Sequence, residues 1–408
     1  MQGSPQTSDA DSSAHRLFRL SIGIYFMGGF VTSLVSLLGP RLTLIDRLGY
    51  TRAALVQLAF HSSYLLFALP ITALLVRLGY MRAIALGLLV MASGCLGLAG
   101  AAGLASYWVV LLALLALSAG ITFLQIAGNV IVPVVERSDR AVSRLTLLQG
   151  FNSIGTVLAP LLGAGFLLEA EDARAGAAGW VVLALPFVGC AAVLLILALC
   201  FWRARALLAA FAAPLRLPLA QLWRVLGERR LMFGAAAMFA YVGAEVTIGT
   251  MLPNYLARPA ILSLAPVDAG RFVSLYWGGA MIGRFAGAWA LGRWRPARLL
   301  LAVALTATAL IAVAMGASGG AGATALIAVG LCNAIMYPTL FSLSIPSDRS
   351  LAPYASMILC MAVVGGAVVP VLTGALADQM GLAGALGLPA LCYLAIAAFA
   401  LVVTLTAS

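Results

Sequence analysis

The sequence predicts an all-α integral membrane protein with twelve transmembrane helices in two pseudo-symmetric six-helix bundles. Only 9% of its 408 residues are charged and 63% are hydrophobic, whereas about one quarter of the residues in soluble domains are charged. Apolar runs of about 20 residues, each long enough to cross a hydrocarbon core of roughly 30 Å as a helix, recur along the chain. The longest polar stretch, residues 203–230, falls between the sixth and the seventh run.

Each predicted span is an apolar run bounded by glycine, proline or charged residues, and it must be helical because lipid offers no partner for backbone polar groups. The first six spans are predicted at residues 17–39, 53–76, 83–104, 107–135, 145–168 and 178–202. The second six are predicted at residues 232–256, 270–291, 299–317, 322–345, 352–376 and 382–405. The predicted domains are an N-terminal tail (1–16), an N-terminal bundle (17–202), a linker (203–230) and a C-terminal bundle (231–408).

A weak internal repeat supports two related bundles. The segments GITFLQIAGNVIVP in span 4 and GLCNAIMYPTLFSL in span 10 both begin with glycine, carry buried amides and contain a proline. In a carrier built from repeated bundles, the substrate site lies where the repeats meet. Spans 4 and 10 are therefore expected to face each other across a cavity that holds the substrate.

The arginines predict the orientation of the chain. All 24 basic residues are arginine, and cytoplasmic loops are enriched in basic residues. With the N-terminus inside, the cytoplasmic segments hold 17 arginines and the outer loops hold six. Both termini are therefore predicted to be cytoplasmic, in a bacterial inner membrane. Nucleic acid is not an expected partner, because no soluble domain carries a basic face that would use the net charge of +11.

Three ionisable side chains, Glu245, Arg284 and His61, are predicted to lie deep within spans, where a charge costs on the order of 3 kcal/mol on insertion scales. Glu245 is the only acid deep within a span, and it suits either a coupling cation or a sugar hydroxyl; the alternative is a structural hydrogen bond. Arg284 is assigned to gating or to a structural contact. His61 is assigned either to a proton relay or to packing, as a hydrogen-bonded histidine.

Buried amides and aromatic rings are the second group of candidates. Amides donate and accept hydrogen bonds together, which suits the hydroxyls of a polyol, while aromatic rings suit the C–H face of a sugar. The alternative for each amide is a hydrogen bond that joins two helices. The predicted substrate-binding residues are Gln57, Gln125, Asn129, Tyr241, Glu245, Asn254, Tyr276, Trp277, Asn333 and Tyr337.

The residues that are missing exclude several classes of protein. The chain has no GxxxxGK[ST] loop for a nucleotide, and its six cysteines lie in apolar runs without a CxxC pair. An enzyme, a metal site and an organic cofactor are therefore not expected. Transport is either coupled to H⁺ or Na⁺ or facilitative, without a coupling ion. The expected partners are a small sugar and the lipid bilayer, and the chain is expected to be a monomer.

Six segments resemble the fucose permease and glucose/galactose porter group of the major facilitator superfamily, across nearly the whole membrane region. They are LVQLAFHSSYLLFALP (55–70), GITFLQIAGNVIV (120–132), SRLTLLQGFNSIGTVLAP (143–160), YVGAEVTIGTMLPNYL (241–256), VSLYWGGAMIGRFAG (273–287) and AIMYPTLFSLSI (334–345). The resemblance implies a sugar transporter that works by alternating access, with a hexose held between the halves. Gln125 matches the glucose/galactose branch, as does the segment around Glu245.

The chain also departs from the family pattern. Val35-Ser36 stands where the family usually has an Asn-Asp pair, and Asn129-Val130-Ile131 stands where it usually has Asn-Pro-Tyr. Without the acid in span 1, Glu245 and His61 are the groups left to carry a proton. The divergence keeps a second hypothesis open, a carrier for a drug, a lipid or an organic anion. A sugar sensor that does not transport is the alternative from another class.

Overall fold

The computed structural model describes residues 5–36, 63–104, 107–135, 138–167, 177–208 and 222–406, and these residues form helices, turns and no strand. In the first half of the chain the helices are α1 (Pro5–Ser36), α2 (Ala68–Leu78), α3 (Tyr80–Leu104), α4 (Tyr107–Val135), α5 (Ser138–Leu167) and α6 (Ala177–Arg203). In the second half they are α7 (Arg229–Leu256), α8 (Pro266–Leu291), α9 (Pro296–Gly316), α10a (Gly319–Asn333), α10b (Met336–Ser344), α11a (Ala352–Ala362), α11b (Gly365–Ala385) and α12 (Gly387–Thr406).

The helices lie where the sequence predicts the spans. Among the described residues, nine helical segments are long and apolar enough to cross a membrane. Helices α5 and α8 have the length as well, 30 and 26 residues, and carry more polar side chains. The second span is described only from residue 63, and α2, which has 11 residues, covers its last part and ends two residues beyond its predicted bound. The all-α membrane fold predicted from the sequence is confirmed.

Two of the predicted spans are each formed by two consecutive helices. Span 10 breaks between Asn333 and Met336, because Pro338 lacks the N–H that would bond the carbonyl of Ala334 and its ring crowds that carbonyl. Span 11 breaks between Ala362 and Gly365. The break in span 10 exposes the end of α10a to side-chain partners.

Residue contacts divide the chain into two compact units. The first unit contains Met1–Glu136, Phe151–Leu217 and Asp348–Cys360, and the second contains Arg137–Gly150, Pro218–Ser347 and Met361–Ser408. The first turns of α5 therefore belong to the unit that contains α7 to α10b, and α11a belongs almost entirely to the unit that contains α1 to α4. The predicted boundaries of the two bundles stay a prediction.

Close contacts between helix backbones hold each unit together. In the first unit, a Cβ atom added to Gly94 of α3 would lie 2.5 Å from the backbone nitrogen of Leu117 in α4. In the second unit, a Cβ added to Gly365 of α11b would overlap the backbone oxygen of Phe239 in α7. Small residues permit this approach, which is typical of helix packing in membranes.

Candidate substrate and coupling sites

In the first unit, a chain of hydrogen bonds joins α1, α4 and α5. The Tyr25 hydroxyl donates to Oδ1 of Asn129 at 2.5 Å, and Nδ2 of Asn129 donates to Oε1 of Gln125 at 2.9 Å. Nδ2 of Asn152 in α5 donates to the backbone oxygen of Tyr25 at 2.9 Å. Asn129 is buried and Gln125 is half-buried. The amide of Asn129 is therefore held within the protein, and Gln125 is the more accessible amide of the predicted pair.

In the second unit, Asn333 is the centre of a hydrogen-bond network. Its Nδ2 donates to the Tyr276 hydroxyl at 2.7 Å, and its Oδ1 accepts from the Tyr393 hydroxyl at 2.6 Å. Asn333 is also the last residue of α10a, and its backbone oxygen accepts from the Tyr241 hydroxyl at 3.3 Å. The break in span 10 frees carbonyls that a continuous helix would bond internally. Asn333 thereby joins four helices, α7, α8, α10a and α12.

Glu245 lies next to this network in α7. The Tyr276 hydroxyl donates to the backbone oxygen of Glu245 at 3.0 Å. The side-chain atom Oε1 of Glu245 is buried and accepts no hydrogen bond from a described residue. Tyr241 and Arg284 both lie within electrostatic range of the carboxylate. A buried carboxylate oxygen without a partner is unfavourable for stability, and a bound proton or a substrate hydroxyl would supply the missing hydrogen bond.

Arg284 contacts the first turns of α5. Its Nη1 donates to the backbone oxygen of Gln149 at 3.4 Å. Nearby, the Ser143 hydroxyl donates to the backbone oxygen of Ala288 at 2.6 Å. The predicted gating residue therefore lies where α5 packs against α8 within the second unit.

The aromatic candidates take two positions in the second unit. Trp277 is 39% exposed and makes an edge-to-face contact with Tyr276, with 5.1 Å between ring centroids. Tyr337 is half-buried, with its ring centroid 6.4 Å from those of Tyr241 and Phe341. Both rings keep an accessible portion beside the Asn333 network.

One predicted residue is not brought together with these groups, and two others are not described. Asn254 is exposed, and at 1.5 Å per residue it lies about 13 Å beyond Glu245 along α7. Gln57 and His61 lie outside the described residues, so their assigned roles stay predictions.

Sequence reasoning missed Tyr25 and Tyr393, which supply the hydroxyls that hold Asn129 and Asn333. Each is a lone tyrosine in an apolar run of the first or the last span. A buried tyrosine hydroxyl usually finds a partner, so an apolar span that carries one tyrosine is a signal for such a contact. The identity of the partner is set only by the packing of helices that are distant in sequence.

Comparison with known proteins places these residues in a family. The family model of the Major Facilitator Superfamily matches residues 21–345. The chain is 37% identical over 411 residues to a glucose/galactose transporter of Brucella abortus, covering 97% of this chain and 96% of that protein. It is 30% identical to the L-fucose-proton symporter of Escherichia coli, covering 94% of this chain and 92% of that protein.

A solved structure supports the same assignment. The fold is similar to that of the transporter FucP, the fucose:proton symporter of E. coli, solved in the outward conformation. The TM-score is 0.85 at 28% identity, covering 96% of this chain and 99% of that one. Because these likenesses extend over nearly the whole sequence, the chain belongs to the Major Facilitator Superfamily.

Proposed function

We propose that the protein carries a monosaccharide of the glucose and galactose kind across the cytoplasmic membrane of a bacterium by alternating access. The observation that carries this proposal is the 37% identity, over 97% of the chain, to a glucose/galactose transporter. The L-fucose-proton symporter, at 30% identity, acts on another monosaccharide. In this proposal the protein is a monomer with both termini in the cytoplasm, and it uses no cofactor besides a coupling ion.

The described side chains support a hydroxyl-rich substrate. Within the first unit, the half-buried Gln125 offers an amide whose orientation is fixed by Asn129. Within the second unit, Trp277 and Tyr337 offer partly accessible rings. A sugar needs both kinds of group, because its hydroxyls require donors and acceptors while its C–H face packs on aromatic surface.

The proposed coupling residue is Glu245. It is an acid within a span, its Oε1 has no hydrogen-bond partner among the described residues, and Arg284 lies within electrostatic range. Intramembrane carboxylates with these features often carry protons in transporters. We propose H⁺ as the coupling ion, with Na⁺ as the alternative that the same assay distinguishes.

The function is tested by uptake into proteoliposomes that contain the purified protein. We expect saturable uptake of radiolabelled D-glucose and D-galactose, and no uptake of L-glucose, which has the same size and polarity but the opposite handedness. Imposed pH and Na⁺ gradients identify the coupling ion. Protein-free liposomes measure leakage, and equal entry of D-glucose and L-glucose at that level would contradict the proposal.

A glycine next to Trp277 provides a test of the aromatic contact. A Cβ atom at Gly249 would lie 2.9 Å from Cζ2 of Trp277, so Gly249→Ala must displace the indole. Overpacking of this kind costs roughly 1–3 kcal/mol. We therefore expect KM for the sugar to rise about fivefold or more, with a smaller change in the maximal rate, in zero-trans uptake assays.

The matched control is Gly278→Ala, which follows Trp277 in α8. A Cβ at Gly278 meets no atom within 4 Å, so this variant has the same chemical change without the displacement. Thermal unfolding of both variants separates a local effect from a loss of stability. Equal KM values for the two variants would mean that the position of Trp277 does not matter for binding.

A further inference from the structure

A cavity of about 400 Å³ lies where α8 ends and α9 begins, in the second unit. Three arginines line it, Arg293, Arg295 and Arg298, together with Trp294 and two apolar residues of α9. No carboxylate is among the lining residues. The predicted sugar site uses none of these residues, so the cavity is separate from the proposed transport function.

One arginine of the cavity is held in place by aromatic rings. The guanidinium of Arg293 lies 4.1 Å from the ring centroid of Trp289, and its Nη1 donates to the backbone oxygen of Trp289 at 3.5 Å. Trp289 makes an edge-to-face contact with Trp294, with 6.2 Å between centroids. This stacking holds Arg293 and Trp294, which both line the cavity.

The other two arginines have no such partner. Within the described part of the chain, Arg295 and Arg298 make no ion pair and no side-chain hydrogen bond. Three cations on one cavity repel each other, and an anion between them would relieve that repulsion. Guanidinium groups bind the paired oxygens of a phosphate through two parallel hydrogen bonds.

The aromatic residues indicate the depth of the cavity in the membrane. Trp289 and Trp294 are 56% and 57% exposed, and exposed tryptophans in membrane proteins concentrate at the level of the lipid headgroups. The predicted orientation places this end of α8 on the cytoplasmic side. Basic pockets between helices on that side bind anionic headgroups.

We propose that this cavity binds a phosphate group, supplied either by the headgroup of an anionic phospholipid or by a soluble phosphate. The arginines bind the phosphate oxygens, and the apolar residues Leu299 and Ala302 contact the part of the ligand that enters the membrane. Phosphatidylglycerol and inorganic phosphate present the same chemistry with and without acyl chains.

The test is a binding measurement on the full-length purified protein. Dissociation constants are measured for phosphatidylglycerol by native mass spectrometry and for inorganic phosphate by calorimetry, with phosphatidylcholine as the zwitterionic reference. At about 1 kcal/mol for each basic residue near a lipid surface, one Arg→Gln change weakens binding about fivefold. We expect Arg295→Gln combined with Arg298→Gln to weaken binding about 25-fold.

The control is Arg224→Gln combined with Arg229→Gln. It removes the same charge from exposed positions that the predicted topology places on the same membrane face, outside the cavity. If phosphatidylglycerol binds more tightly than phosphatidylcholine, and only the cavity variant loses this preference, the phosphate comes from a lipid headgroup. If only inorganic phosphate binds, and only the cavity variant loses this binding, the phosphate comes from a soluble compound. Equal weakening in both double variants, or no preference for either probe over phosphatidylcholine, would overturn the proposal.

Discussion

Glu245→Gln is expected to abolish concentrative sugar uptake while sugar exchange continues at close to the original rate. Glutamine keeps the shape of the side chain and its capacity for hydrogen bonds, and it cannot bind and release a proton in the transport cycle. The Tyr276 contact with position 245 is made to the backbone oxygen, so the substitution leaves that contact intact. Exchange requires the substrate site to alternate and does not require net movement of the coupling ion.

The size of the effect follows from the energy of one co-transported charge. A membrane potential of roughly 100 mV is worth about 2.3 kcal/mol for one elementary charge, which supports about 50-fold accumulation. We expect the ratio of internal to external sugar to fall from this range to about one. Proteoliposomes with an imposed potential and pH gradient measure accumulation, and counterflow of labelled sugar in the same preparation measures exchange.

The matched control is Glu228→Gln. Glu228 immediately precedes α7, is exposed and makes no side-chain cap to the helix. This variant therefore makes the same chemical change as Glu245→Gln at a position outside the membrane. Accumulation by this variant should equal that of the unmodified protein. Uphill uptake that persists in Glu245→Gln would reject the coupling role, and a failure of the unmodified protein to accumulate sugar would mean that transport is uncoupled.

The helices were predictable because the signal for each is local. An apolar run of about 20 residues specifies a span regardless of what it packs against, and most of the observed helices begin and end close to the predicted bounds. The larger differences are that α1 begins at Pro5, 12 residues before the predicted span, and that α11b ends at Ala385, nine residues after it. The break in span 10 has a local cause as well, since Pro338 follows Asn333 by five residues. Pro338 alone does not predict the break, because proline in membrane helices is often tolerated without one.

The site was predictable only where its contacts follow one helix. Gln125 and Asn129 are four residues apart, so they share a face of α4 and do form a hydrogen bond. The contacts of Tyr25 with Asn129 and of Tyr393 with Asn333 join residues 104 and 60 positions apart. Spacing within a helix carries no information about such pairs, because they depend on which helices become neighbours.

Two asparagines, one in each unit, nevertheless make similar contacts. Asn129 and Asn333 lie in the two segments that the sequence identifies as related, and the Oδ1 of each accepts a hydrogen bond from a tyrosine hydroxyl of the first or the last helix. Each amide is thereby fixed in orientation. We infer that both serve first to position their neighbours, Gln125 in one unit and Tyr276 in the other.

Joining α5 to α8 by a disulfide is expected to stop transport completely and reversibly. The Ser143 hydroxyl bonds the backbone of Ala288, and a Cβ at Gly292 would lie 3.8 Å from Oγ of Ser143 without a tight contact elsewhere. Ser143→Cys combined with Gly292→Cys therefore brings two thiols within reach of a disulfide. The background is a variant in which the six native cysteines are replaced.

Transport is expected to stop because alternating access requires the helices that close one face of the membrane to separate in each cycle. In this structure Arg284 and Ser143 both join α5 to α8, and a covalent link prevents that separation. Uptake should fall to the level of protein-free liposomes after oxidation and return after reduction. Each single-cysteine variant, treated with the same oxidant, should keep its activity.

A second disulfide within the C-terminal bundle distinguishes a gate from general rigidity. A Cβ at Gly366 of α11b would lie 3.0 Å from Cγ1 of Val242 in α7. In the variant that combines Val242→Cys with Gly366→Cys, the two thiols are therefore close enough to form a disulfide. We expect this link to form and transport to continue, because helices of one bundle move together. If both links block uptake equally, or if the link between α5 and α8 leaves uptake unchanged, then the contact made by Arg284 is structural and α5 does not part from α8 during transport.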